Sequence, residues 1–184
     1  MEFDYTAEQE GLIRTLRAFG RKELAPRSRE WDRTGELDRG VVRRMGELGL
    51  LGLRVPAEYG GQETDLLTMG IAVEEIARAD FGSTTPVQAA ALTGGIVGTN
   101  GTEEVKRRWL PPVVRGDAIV ALALTEPEVG SDAASLACRA ETGQILLRPR
   151  SAPLRPRPRN LPSLAPLALA ASVGVLTASG RSGK

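Results

Sequence analysis

The clearest helical signal in the sequence is the stretch Thr64-Asp65-Leu66-Leu67-Thr68-Met69-Gly70-Ile71-Ala72-Val73-Glu74-Glu75-Ile76-Ala77-Arg78-Ala79. Thr64 can open a helix here, and apolar residues recur behind it at helical spacing. Leu67 and Ile71 share one side of the helix with Glu74 and Arg78, and another side is covered by Leu66, Met69, Val73, Ile76 and Ala77. Glu74 and Arg78 are spaced i,i+4, which predicts a modest ion pair on the surface. The stretch therefore predicts a helix that runs to about Ala79.

Similar start and stop signals lie on both sides of this helix. The start signals are Thr6 with Gln9, Asp38, Thr85-Pro86, and Thr102 with Glu103-Glu104. The stop signals are Pro26, the turn Gly60-Gly61, Gly98 or Gly101, and Pro111-Pro112. A hydrophobic core is expected from the apolar stripes that lie between these signals, together with the apolar stretch 50–55 and Trp109. The fold class predicted for residues 1–115 is therefore mainly α, a domain of consecutive helices.

The pattern changes after the last of these helices. Residues 118–124 form an apolar run that predicts a buried strand, with a short core helix as the alternative. The strand is favoured because Gly116-Asp117 precede the run and a loop with proline and glycine follows it. Residues 116–143 are interpreted as the start of a second, β-containing domain, whose one strand would leave an unpaired edge.

The loop after this strand is the candidate functional segment. It reads Leu124-Thr125-Glu126-Pro127-Glu128-Val129-Gly130-Ser131-Asp132. Gly130 permits a left-handed backbone and close approach of a ligand, and the Thr125 and Ser131 hydroxyls can donate hydrogen bonds. Successive N–H groups around Gly130 could bind an anion, although the two glutamates of the loop would have to point away from it. On composition alone, an ordinary surface turn is the simpler interpretation.

The loop resembles the flavin-binding signature of the acyl-CoA dehydrogenase family, Leu-Thr-Glu-Pro-x-x-Gly-Ser-Asp. Three further stretches are similar to the same family in the same order, and they are residues 50–61 (LLGLRVPAEYGG), 74–80 (EEIARAD) and 101–111 (GTEEVKRRWLP). The resemblance extends over about residues 4–141.

The resemblance implies an N-terminal helical domain, a middle β-barrel domain and a C-terminal four-helix bundle. Members of this family bind FAD between domains and usually form homotetramers. They oxidise an acyl-CoA thioester to the 2,3-enoyl-CoA, with a glutamate that removes the α proton while the β hydride passes to flavin N5. The implied partners are an acyl-CoA or acyl-carrier-protein thioester and an electron-acceptor flavoprotein.

Site residues follow from the resemblance only where its motif is present. Leu122 and Leu124 match positions whose backbone lies along the flavin, and Thr125 matches the residue that hydrogen-bonds the isoalloxazine edge. Ser131 matches a residue near the FAD phosphates and the acyl-CoA, and Gly130 lets this serine approach. The cofactor-binding set is thus Leu122, Leu124, Thr125, Gly130 and Ser131, with Ser131 also in contact with substrate. No residue is assigned the catalytic base.

Composition excludes several other chemistries. The 184 residues include no histidine and one cysteine, Cys138, which excludes a Ser-His-Asp triad, a histidine-ligated metal and a cysteine-rich zinc site. The formal net charge of +1 offers no reason to expect nucleic acid or an anionic membrane. The acidic start Met1–Asp4 lacks the pattern of a signal peptide, so a cytoplasmic location is expected.

Residues 144–184 have a different composition from the rest. They carry seven of the 24 basic residues, none of the 23 acidic ones and half of the 12 prolines, which predicts an extended, disordered tail unlike the family. The apolar run 161–178 could mimic a membrane span, but its prolines and glycine argue against one.

The resemblance ends where this tail begins. The Trp-Ile/Ser-Thr flavin motif of the family, the rest of its barrel and its C-terminal bundle with the catalytic glutamate are not found in this sequence. We therefore expect a truncated form that is inactive alone. The alternative is a non-enzymatic helical interaction module that pairs with a full-length relative.

Overall fold

The computed structural model describes residues 4–123, 130–132 and 174–179, with the backbone alone described for residues 122–123 and 174–179. The chain forms two compact units, Met1–Asp117 and Ala118–Lys184. The described part is mainly helical, as the sequence predicts.

Six α-helices make up the first unit. They are α1 (Ala7–Phe19), α2 (Ser28–Thr34), α3 (Arg39–Glu47), α4 (Leu66–Ala77), α5 (Thr84–Asn100) and α6 (Glu103–Val114). A π-helical turn, Gly20–Leu24, extends α1, and two short 3-10 turns, Leu50–Gly52 and Ala57–Tyr59, lie between α3 and α4. The caps predicted at Thr6, Asp38 and Thr102 are confirmed, since each side chain accepts a hydrogen bond from a backbone N–H of its helix. The short helix α2 is not predicted by the sequence pattern.

The core of this unit gathers apolar side chains from every helix except α2 and from the stretch 50–55. Leu16, Met45, Leu50, Val55 and Ile76 are completely shielded from solvent. Gly94 and Gly98 on α5 let the side chains of Val55 and Pro56 come close to that helix. The apolar stretch 50–55 is therefore a central packing element of the unit.

Helix α4 begins later than the sequence predicts. Asp65, rather than Thr64, caps the helix, and its carboxylate accepts a hydrogen bond from the backbone N–H of Thr68 over 2.7 Å. The Thr64 hydroxyl instead donates to the carbonyl of Leu53 over 2.8 Å. In the first turn of this helix, the side chains of Leu66 and Leu67 are 70% and 64% exposed, whereas Ile71 and Ile76 further along are buried.

The expected end of α6 is also wrong. Pro111 and Pro112 lie inside the helix, which continues to Val114. Both prolines keep their carbonyls, and these accept hydrogen bonds from the N–H groups of Arg115 and Asp117. Burial of Leu110 and Val113 on the same turns offsets the two N–H donors that the prolines lack. On α5, the helix runs through Gly98 and ends at Gly101, the second of the two predicted stops.

The second unit contains the predicted strand. Strand β1 (Ala118–Ala123) pairs antiparallel with β2 (Gly174–Ser179), in a register that places Ala118 opposite Ser179 and Ala123 opposite Gly174. The expectation of an unpaired edge is wrong for one edge of β1, because the backbone of this strand pairs with β2. Residues 174–179, which belong to the tail predicted to be disordered, form strand β2. The rest of residues 144–184 lies outside the described residues. Among those described, no helix is long and apolar enough to cross a membrane.

Candidate functional site

The predicted cofactor-binding residues are described only in part. Leu122 lies in β1 opposite Val175, and only its backbone is described. Leu124 and Thr125 lie outside the described residues. The structure therefore places one end of the predicted set on a regular strand, and it does not show the five residues gathered around a common point.

Gly130 and Ser131 lie on an exposed part of the loop. The backbone of Gly130 is not left-handed, so its predicted use of a positive φ is not seen. A Cβ built at Gly130 would meet no heavy atom within 4 Å, which leaves open space beside the backbone. Ser131 is solvent-exposed next to this space, while the neighbouring Asp132 is engaged in an interaction of its own. Open space beside the Gly130 backbone and an exposed Ser131 hydroxyl leave room for contact with an anionic ligand.

A buried carboxylate that the sequence pattern does not single out lies in the helical unit. Glu75 on α4 is only 5% exposed, and Arg17 on α1 donates to both of its oxygens, over 2.9 Å and 3.0 Å. Arg78 approaches one of these oxygens at 3.5 Å. The hydrogen bonds from Arg17 lower the pKa of Glu75 against the opposing effect of burial. Glu75 is thus held ionised in a two-helix ion pair, which suits a structural carboxylate better than a proton acceptor.

A second buried carboxylate, Asp80, joins two segments of the chain. It accepts hydrogen bonds from the Ser28 hydroxyl over 2.6 Å and from the Ser83 backbone N–H over 2.7 Å. The Ser83 hydroxyl donates to it as well, over 2.5 Å. These donors tie α2 to the turn between α4 and α5. Because both oxygens of Asp80 are engaged, this carboxylate also has a structural role.

Tyr59 and Glu103 form a third polar contact, between the turn Ala57–Tyr59 and α6. The Tyr59 hydroxyl donates to the Glu103 carboxylate over 2.9 Å. Burial, together with this carboxylate, raises the pKa of Tyr59 to about 12. The same hydrogen bond, helped by Lys106, lowers the pKa of Glu103. The contact fixes the first turn of α6 against the 3-10 turn.

The remaining sequence candidates have modest roles. Glu74 and Arg78 form the predicted surface pair, and both side chains are more than half exposed. Trp109 is partly buried, and the Arg108 guanidinium lies 5.3 Å from the centre of its ring. Among the described residues, no group of three or more histidine, cysteine, aspartate or glutamate side chains could hold a metal ion.

Comparisons with known proteins agree with this fold. Residues 6–117 match the family model described as acyl-CoA dehydrogenase, N-terminal domain. The chain is 42% identical over 135 residues to the probable acyl-CoA dehydrogenase YngJ of Bacillus subtilis, covering 72% of this chain and 35% of that protein.

Solved structures resemble the chain to a similar extent. Butyryl-CoA dehydrogenase from Megasphaera elsdenii is 33% identical, with a TM-score of 0.63, over 72% of this chain and 36% of that one. A chain from work on the electron transferring flavoprotein of Acidaminococcus fermentans is 34% identical, with a TM-score of 0.65, over 73% and 36%. The chain spans about a third of the length of these relatives.

Proposed function

The chain belongs to the acyl-CoA dehydrogenase family through its N-terminal domain, and on that premise we propose that it derives from a flavin-dependent enzyme that oxidises an acyl thioester between Cα and Cβ. The observation that carries the proposal is the family match over residues 6–117, followed by β1 and the flavin-type loop. A dehydrogenase-like oxidoreductase is the function that the relatives support.

The proposed cofactor is FAD, which when bound accepts the hydride removed from the substrate. The backbone of Leu122 and Leu124 would lie along the flavin, and the Thr125 hydroxyl would donate to the isoalloxazine edge. Ser131 would contact the phosphates and the acyl thioester, with Gly130 leaving the room for this approach. The open space beside Gly130 and the exposed hydroxyl of Ser131 support the phosphate contact.

We further propose that the chain alone does not catalyse the reaction. In the described helical unit, the carboxylates of Glu75 and Asp80 are shielded from solvent and already bonded to neighbouring donors. Neither is available to remove an α proton.

The test is a titration of the purified chain with FAD, followed by addition of an acyl-CoA. We expect weak FAD binding, which Ser131→Ala and Thr125→Val each reduce about tenfold through loss of a charge-assisted or neutral hydrogen bond. Thr99→Val, on the exposed side of α5, is the matched control and should leave FAD binding unchanged. The flavin should not be bleached by acyl-CoA. Equal FAD binding by all variants would refute the site, and bleaching would refute the proposed inactivity.

The alternative function is a non-enzymatic module that pairs with a full-length relative. The observation that favours it is the exposure of two adjacent leucines, Leu66 and Leu67, on the first turn of α4. Co-expression with a full-length relative would test it. A mixed oligomer that Leu66→Asp and Leu67→Asp abolish would support the module, and separate elution of the two proteins would rule it out.

Partners and location complete the proposal. We propose an acyl-CoA or acyl-carrier-protein thioester as substrate, an electron-transferring flavoprotein as acceptor and a cytoplasmic location, and we assign the homo-oligomer to full-length members of the family rather than to this chain. The resemblance to the chain from the Acidaminococcus fermentans work supports the acceptor class.

A further inference from the structure

The segment that contains α2 lies on the surface of the helical unit. Every residue from 25 to 40 keeps some solvent exposure, and Ser28, Trp31 and Leu37 are the ones that are partly covered. Helix α2 therefore contributes no residue to the core. Because a helix of seven residues is unstable on its own in water, α2 depends on the contacts that attach it to the rest of the unit.

The two ends of this segment are held together. The Arg27 guanidinium donates to Oδ2 of Asp38 over 2.8 Å, and both side chains are about half exposed. Oδ1 of Asp38 accepts a hydrogen bond from the Gly40 backbone N–H over 2.7 Å and so fixes the start of α3. We call residues 27–38 the flap, since they form a compact surface loop whose ends meet.

One polar contact attaches α2 to a distant part of the unit. The Ser28 hydroxyl donates to Oδ1 of Asp80 over 2.6 Å, and among the described residues no other side-chain hydrogen bond or ion pair joins α2 to another element. Asp80 is only 8% exposed, and its Oδ2 accepts from the backbone N–H and the hydroxyl of Ser83. Asp80 thus stays fixed in the turn between α4 and α5 when Ser28 leaves it, whereas α2 loses its attachment.

The bond from Ser28 should outweigh the ion pair at the ends of the flap. Its acceptor is a carboxylate shielded from solvent, and hydrogen bonds to charged groups are stronger than those between neutral groups. The Arg27–Asp38 pair is exposed, and exposed pairs contribute little because water and salt screen them.

We propose that the flap opens and closes as a piece while the rest of the helical unit stays folded, and that the Ser28–Asp80 bond is its latch. Proteins open locally, in cooperative pieces, where few side chains are buried. The flap meets this condition, whereas α1 and α4 carry fully buried side chains such as Leu16 and Ile76. Opening breaks the latch, melts α2 and leaves Asp80 bonded to Ser83. This conformational device is independent of the proposed flavin chemistry.

Hydrogen exchange of the full chain, followed residue by residue by nuclear magnetic resonance, provides the first test. The amide protons of Trp31 and Gly35 are bonded to the carbonyls of Arg27 and Trp31, so they exchange when the flap opens. They should exchange faster than the amide protons in the middle of α4, which require unfolding of the whole unit. Ser28→Ala should speed the exchange of the two flap amides about tenfold, because the latch is lost only in the closed state.

Ser83→Ala is the matched control, since it removes the other hydroxyl bonded to the same carboxylate. That bond persists when the flap opens and is lost when the whole unit unfolds. Ser83→Ala should therefore speed exchange in α4 but leave the flap amides of Trp31 and Gly35 unchanged. Equal acceleration of these flap amides by Ser28→Ala and Ser83→Ala would overturn the proposal, and so would flap amides that exchange as slowly as those in α4.

Limited digestion with trypsin provides a second test. Arg29 and Arg33 lie on α2, and at low trypsin concentration cleavage after them follows the population of the open flap. Ser28→Ala should raise this cleavage rate about tenfold, and Arg27→Gln, which removes only the exposed ion pair, should raise it less. Cleavage after Arg17 on α1 should come later. Simultaneous cleavage after Arg17 and Arg29, or a larger effect of Arg27→Gln than of Ser28→Ala, would contradict the flap and its latch.

Discussion

Two neighbouring glycines on α5 should respond oppositely to the same substitution. A Cβ added at Gly94 would lie 2.5 Å from Cγ2 of Val55, well inside van der Waals contact. A Cβ added at Gly95 would meet no heavy atom within 4 Å. Both glycines lie in the interior of the same helix, so the change in helix propensity is shared and the difference between the variants reports the packing alone.

The magnitudes follow from two opposing effects. Alanine in place of glycine favours a helix by about 1 kcal/mol, which should appear almost in full for Gly95→Ala. Gly94→Ala gains the same amount but overpacks the contact with Val55, at a cost of about 1–3 kcal/mol. Val55 is fully buried and β-branched, so its side chain cannot easily rotate away. We therefore expect Gly94→Ala to be less stable than Gly95→Ala by about 1–3 kcal/mol.

Chemical denaturation followed by the helical circular dichroism signal measures both variants against the unsubstituted chain. Gly98→Ala should resemble Gly94→Ala, because its Cβ would lie 2.9 Å from the Pro56 ring. Combining Gly94→Ala with Val55→Ala should cost less than the sum of the two single changes, since Val55→Ala removes the methyl groups with which the added Cβ clashes. Equal stabilisation by Gly94→Ala and Gly95→Ala would refute the close approach of residues 55–56 to α5.

Four further predictions concern polar and strained residues. Arg17→Met should destabilise the chain by about 2 kcal/mol by leaving the Glu75 carboxylate buried without its main partner. Because the pKa of Glu75 is lowered, its contribution to stability is present above the unfolded value of 4.5 and is lost as the pH falls towards the folded value, so Glu75→Gln should flatten the acid limb of a stability–pH curve. Tyr59→Phe should remove the tyrosine ionisation at about pH 12 from an ultraviolet titration and cost about 1 kcal/mol in a urea titration. Glu63→Gly should stabilise the chain by about 1 kcal/mol in thermal unfolding, because the glutamate has a left-handed φ of 50°.

Two of these predictions have a matched control within the chain. Glu74→Gln, on the exposed side of α4, should leave the acid limb of the curve nearly unchanged, and an equal effect of Glu74→Gln and Glu75→Gln would contradict the buried pair. Glu58→Gly, in the 3-10 turn Ala57–Tyr59, should destabilise rather than stabilise the chain. Persistence of the titration at about pH 12 in Tyr59→Phe would show that the ionising group was assigned wrongly.

Long-range contacts explain where sequence reasoning falls short. The choice between Glu74 and Glu75 as the structurally important carboxylate depends on Arg17, which is far away in the sequence and reaches only Glu75 at short distance. The exposure of Leu66 and Leu67 could not be foreseen either, because helical spacing shows which residues share a side but not which side another element covers.

For the candidate site, too, the sequence predicts local features but not the contacts between distant segments. The motif at residues 124–132 predicts the type of cofactor because a loop with hydroxyls and glycine is a local feature. Whether Leu122, Gly130 and Ser131 meet around one ligand depends on segments that are distant in the sequence, and the described residues do not bring them together. The relatives, of which the chain covers about a third, supply the context for the proposed function but not the geometry of this chain.

The sequence by itself determined the mainly helical fold, the caps at Thr6, Asp38 and Thr102, and the strand at residues 118–123. These depend on interactions within a few residues, so they can be derived from spacing and side-chain chemistry. Only the tertiary structure decided that α6 passes through Pro111-Pro112, that α5 presents Gly94 and Gly98 to the stretch 55–56, and that Glu75 pairs with Arg17. In each case the deciding energy comes from burial against a partner distant in sequence, which can outweigh the local preference of a proline, a glycine or a charge.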